Sequence, residues 1–128
     1  MTPSKRQVWI GRALSALVIL FMVFDGVIHI AKPDVVVQAF AQLGYPERYS
    51  VAIGVIEIAC VVLALVPRTA AIGALLLTGY FGGAIATQLR IGAPTFNLVF
   101  PAILAALLWG GLALRDMRVR RLVPGGAA

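Results

Sequence analysis

Apolar residues run almost unbroken through four stretches of the chain, about 9–31, 49–66, 69–89 and 96–114, each bounded by proline, glycine or charge. A hydrocarbon core is crossed by roughly 20 apolar helical residues, so the pattern predicts four membrane-spanning helices. The first run ends at Lys32-Pro33-Asp34, where proline and charge stop a helix. Pro67-Arg68 forms a tight turn between the second and third runs, and Gly92-Ala93-Pro94 breaks the chain before the fourth. Between the first two runs, Val36, Val37, Phe40 and Leu43 recur at near-helical spacing before Gly44-Tyr45-Pro46. That spacing predicts a short helix lying at the membrane interface.

Three ionisable residues lie well inside the apolar runs. Asp25 and His29 lie in the first run and Glu57 in the second. Charged groups in hydrocarbon are costly, so they mark functional or pairing positions. At about 1.5 Å of rise per residue, Asp25 lies roughly 10 Å from Lys32, and Glu57 roughly 13 Å from Arg48. Both acids therefore fall at similar depth in one half of the bundle. His29, four residues after Asp25, shares its helix face. On the third run, Gly79, Gly82, Gly83, Ala86 and Arg90 follow helical spacing, which predicts a small-residue packing stripe ending in a cation. Asp25, Glu57 and Arg90 are then expected to form one polar site with His29 at its mouth. Tyr80, Thr87 and Gln88 line it, and Pro101 loosens the fourth helix at comparable depth.

Composition fits an all-α membrane protein and one membrane domain over residues 1–128. Of the 128 residues, 61% are hydrophobic and 12% charged, and mean hydropathy is +0.97. Soluble domains carry roughly 25% charged residues. The net charge of +6 does not indicate nucleic acid, because the basic residues flank the apolar runs. Lys5, Arg6 and Arg12, then Arg68, then Arg115, Arg118, Arg120 and Arg121 gather at one set of ends, against Lys32, Arg48 and Arg90 at the other. The positive-inside rule thus predicts that both termini and the Arg68 turn are cytoplasmic and that the polar site lies in the outer half.

A cleaved signal peptide is not expected, since the first apolar run is too long and lacks a convincing small-x-small cleavage site before Lys32. The tail ending Pro124-Gly125-Gly126 reads as a frayed basic anchor. Trp9 and Trp109 suit an aromatic belt. One cysteine, Cys60, and one histidine exclude a cysteine-pair relay and a bis-histidine haem within one subunit, and no metal site is expected.

Several segments together resemble the DoxX-like family of four-helix bacterial membrane proteins. They are Phe24-Asp25-Gly26, Leu43-Gly44-Tyr45-Pro46, Glu57, Val66-Pro67-Arg68-Thr69, Leu77-Thr78-Gly79-Tyr80 with Gly82-Gly83-Ala84, Arg90, and Leu108-Trp109-Gly110-Gly111 followed by Leu114-Arg115-Asp116. The resemblance covers almost the whole chain and implies a multi-pass protein of the bacterial inner membrane. This chain has His29 and Gln88 where the family pattern often has lysine and histidine. The wider group takes its name from a subunit of a thiosulfate- and quinol-oxidising complex.

Two functions follow from the resemblance. The first is a subunit or accessory of a membrane redox system, with a quinone head group as the ligand of the polar site. The second is a non-catalytic protein that assists a partner, with the acids as a helix lock. The expected partners are the lipid bilayer and either a membrane redox protein or a second copy of the chain. Autonomous catalysis is not expected, because no haem ligand set, nucleotide loop or redox cysteine pair is present.

Overall fold

In the computed structural model, which describes residues 2–122, the first apolar run becomes α1 (Lys5–Ala31). Ser4 caps it: its hydroxyl accepts from the Gln7 amide at 3.1 Å, and the Gln7 side chain accepts from the Ser4 amide at 2.9 Å. Lys32 ends it in the left-handed region at φ 51°, and Pro33 then starts α2 (Asp34–Leu43). This is the predicted short helix. It buries Val36 and Phe40, and Gly44 at φ 77° terminates it.

Three further helices complete the bundle, α3 (Tyr49–Leu65), α4 (Ala70–Arg90) and α5 (Thr95–Arg115). Their bounds lie within one residue of the predicted runs. A four-residue helix, α6 (Met117–Arg120), follows and has no counterpart in the apolar pattern. α1, α4 and α5 are long and apolar enough to cross a membrane. α3, with 17 residues, spans roughly 25 Å and packs among them. The basic tail at Pro124-Gly125-Gly126 lies outside the described residues.

α1 packs on α3 and α5, and α4 packs on the same two, so the four helices close into a ring with α1 and α4 diagonally opposed. Val18, Met22, Val61, Leu77, Phe81 and Leu108 fill the centre. A Cβ on Gly11 would stand 2.6 Å from the Gly111 carbonyl oxygen, and one on Gly54 would stand 2.7 Å from that of Gly26. These contacts bring α1 against α5 and against α3 at backbone distance, as small residues allow in lipid. At the Pro67 turn, the Thr69 hydroxyl donates to the Leu63 carbonyl at 2.7 Å, and Gly73 lies against the Ala64 backbone. The Arg118 guanidinium donates to the Pro67 carbonyl at 3.4 Å, so the α3–α4 turn shares one end of the bundle with the start of α1 and the end of α5.

The predicted packing stripe is a correction. A Cβ on Gly79, Gly82 or Gly83 would meet nothing within 4 Å, and Ala86 is exposed. The spacing puts these residues on one face of α4, but that face borders open space, and among the described residues no helix lies against Gly79, Gly82 or Gly83. Close approach is made by Gly11, Gly26, Gly54, Gly73 and Gly111.

Candidate functional site: a polar cluster beside a cavity

At the end of the bundle away from the termini the helices part around a cavity of about 550 Å³. Phe21, Met22, Asp25 and His29 of α1, Phe40 of α2, and Tyr80, Gly83, Thr87 and Gln88 of α4 line it, with Phe96, Asn97, Phe100 and Pro101 of α5. The aromatic wall is ordered. Phe96 stacks on Phe100 with centroids 5.4 Å apart, and Phe21 meets Phe100 edge-on at 5.0 Å. Pro101 has no amide hydrogen, so the Asn97 carbonyl lacks its usual helical donor beside the cavity. The Asn97 amide donates to the Gln88 side chain at 3.2 Å, which ties α5 to α4.

The acids meet beside this cavity, with Asp25 in its lining. Tyr80 Oη stands 3.0 Å from Glu57 Oε2 and 3.5 Å from Asp25 Oδ2, linking α4 to α3 and α1. His29 Nδ1 stands 3.4 Å from Asp25 Oδ2 and 3.9 Å from Glu57 Oε2, and donates to the Asp25 backbone carbonyl at 2.7 Å. Ser50 closes the arrangement by donating to the His29 carbonyl at 2.6 Å. Asp25 and His29 keep 26% and 17% of their side-chain surface toward the cavity side, whereas Glu57 is fully buried. A tyrosine hydroxyl has one proton, so it cannot neutralise two carboxylates. Glu57 Oε1 is buried with no hydrogen-bond partner among the described residues, and such an oxygen is expensive in a low dielectric.

The predicted residues therefore divide. Asp25, His29 and Glu57 converge as expected from depth and helix face. Arg90 does not join them. Its guanidinium donates to the Leu43 carbonyl and lies 5.9 Å from the Tyr45 ring. The reason is the fold of α2, whose last carbonyls carry the negative end of the helix dipole within reach of the exposed end of α4. Tyr80, expected only as lining, is the hub that joins three helices. Thr87 lines the cavity while its hydroxyl donates to the Gly83 carbonyl at 2.7 Å, and Gln88 is engaged by Asn97.

Sequence reasoning missed Asn97, Phe40, Phe96 and Phe100. Asn97 had a usable signal, as a polar residue in the first turn of an otherwise apolar helix. The aromatic residues had none, because their spacing is shared with lipid-facing positions.

A DoxX-like family model matches residues 13–111, which include every residue of this polar cluster. The chain belongs to the DoxX-like family. It is accordingly a multi-pass membrane protein. Neither the curated proteins nor the solved structures contain a match to the chain. In this DoxX-like protein Trp109 holds α5 to α4 through a 2.7 Å bond from its indole N–H to the Thr78 hydroxyl, while Trp9 stays exposed.

Proposed function

We propose that this DoxX-like protein is a subunit or accessory of a membrane redox system and holds a quinone-type head group in the α1–α4–α5 cavity. One observation carries the reading: a cavity of head-group size among the apolar helices has aromatic walls and hydrogen-bonding side chains, His29 and Tyr80, in its lining. A flat ring with carbonyl oxygens needs apolar faces and donors at its edge. Asn97 offers a further donor on the α5 wall. The membrane is the bacterial inner membrane, with the termini and the Pro67 turn in the cytoplasm. The concentration of Lys and Arg at that end supports this orientation.

The test is affinity purification in native lipid, followed by mass spectrometry of small molecules and co-purifying proteins. A near-stoichiometric isoprenoid quinone is expected in the wild type and depleted in Phe100→Ala. Orientation is checked by labelling introduced cysteines from outside intact cells. Modification of Tyr45→Cys and protection of Arg118→Cys are expected, and the reverse would invert the assignment.

The alternative, a protein that assists a partner and uses its acids as a helix lock, draws on Glu57. That residue is fully buried, does not line the cavity, and bonds α3 to α4 through Tyr80. Quinone-free protein whose Glu57 variants only lose stability would favour it.

A further inference from the structure

We propose that Asp25, His29 and Glu57 form a membrane-buried site for a divalent first-row transition-metal ion of the zinc or manganese kind. One ligand atom from each of the three residues lies within 4.8 Å of the others. Two ligands of a tetrahedral ion at about 2.0–2.2 Å stand roughly 3.3–3.6 Å apart. The separations of His29 Nδ1 from Asp25 Oδ2, 3.4 Å, and from Glu57 Oε2, 3.9 Å, are already close to that edge length.

A second observation points to a ligand. Glu57 is fully buried, and its Oε1 has no partner among the described residues. A cation bound by this carboxylate would supply the partner that the protein does not. Charge points the same way, since two carboxylates, a neutral imidazole and a divalent ion sum to zero, the sum that hydrocarbon surroundings favour. The imidazole selects against calcium and magnesium, which prefer all-oxygen sites. His29 Nδ1 now donates its proton to the Asp25 carbonyl, so ligation through that nitrogen requires the other tautomer, with the proton on Nε2 and the imidazole still neutral. Tyr80 Oη would orient the two carboxylates from outside the ligand set, as outer hydrogen bonds do in metal sites. The three ligands leave a fourth position for water or a cavity ligand, because Asp25 and His29 both line the cavity.

The site shares the cavity of the quinone reading but does not depend on it, and the test uses no quinone. Full-length protein, freed of its purification tag and stripped with chelator, is titrated with Co2+ in lipid nanodiscs. One equivalent should produce visible ligand-field absorption, and Zn2+ should abolish it. His29→Asn and Asp25→Asn should remove the bands. Tyr80→Phe should weaken binding by about 10–100-fold. Arg90→Gln, outside the cluster, should bind like the wild type. Circular dichroism of each variant separates lost ligands from lost fold, and if Glu57→Gln unfolds, His29→Asn decides. Failure of folded wild type to take up one Co2+, or binding that survives His29→Asn, would overturn the site. A quinone found in protein that takes up no metal would leave the pocket reading standing and refute only this one.

Discussion

Two sets of glycines serve opposite purposes in this molecule. Gly11, Gly26, Gly54, Gly73 and Gly111 lie where helices touch backbone to backbone, while Gly79, Gly82 and Gly83 lie on the half of α4 where a side chain would meet nothing. Both sets look alike in sequence, since each places small residues on a helix face. The difference is what lies across from them. The first set brings α1 against α3 and α5, and α3 against α4, so that the seams exclude other atoms. The second leaves α4 bare beside the cavity, and Gly83 forms part of its wall. Small residues thus close the seams in one place and leave room for the cavity in the other.

The contrast is broken most severely at Gly73, where a Cβ would stand 2.2 Å from the Ala64 backbone nitrogen. Neither backbone can yield cheaply, so Gly73→Ala should lower stability in detergent by about 3 kcal/mol, measured by thermal or denaturant unfolding. An unchanged unfolding curve would mean that the α3–α4 seam is looser than described.

Tyr80 lies between the two regions, reaching from the bare helix to the acids of the packed ones. Tyr80→Phe should lower stability by about 1–2 kcal/mol, because it removes the donor of a buried carboxylate. In a double-mutant cycle with Glu57→Gln the two changes should be non-additive, since they share one bond. Strict additivity would separate Tyr80 from Glu57.

At the bare face, Gly83→Leu should not reduce stability, and helix propensity favours a gain of up to about 1 kcal/mol. Its effect should instead be loss of whatever occupies the cavity, read by mass spectrometry of purified material. A large loss of stability would restore a packing role to this face.

The smallest effect is expected outside both regions, at Asp116 beyond the end of α5. The Arg118 side chain donates to it at 3.1 Å from Nε and 2.9 Å from Nη2, holding its carboxyl below the usual aspartate value of 3.8. A carboxyl with a lowered folded-state pKa contributes stability above its unfolded pKa, and that contribution is lost as pH falls through the folded value. Wild type should therefore lose slightly more stability on acidification below about pH 4 than Asp116→Asn does, with salt diminishing the difference. Equal acid sensitivity of the two proteins would remove Asp116 from the account.

Periodicity and punctuation alone located α1 to α5, because a bilayer imposes a minimum apolar length and proline, glycine and charge end the runs. Helix rise likewise placed Asp25, His29 and Glu57 at a common depth. Depth is a one-dimensional property, whereas partners depend on the rotation of each helix about its axis. Sequence spacing could therefore show that Arg90 shares a helix with Gly83 but not that α2 would fold over and take its guanidinium. It could likewise group Tyr80 with the cavity but not reveal that one hydroxyl would reach both acids.

The sequence by itself determined the membrane class, helices α1 to α5, the gathering of basic residues at one end and the acids' position in the other half, since each follows from hydropathy, turn chemistry or residue count. Only the tertiary structure decided which glycines close seams and which border the cavity, and that the polar cluster is Asp25, His29, Glu57 and Tyr80 and excludes Arg90. Those outcomes depend on which face of each helix meets a neighbour. In a nearly all-apolar chain the hydrophobic pattern carries little orientation, and packing between helices supplies it.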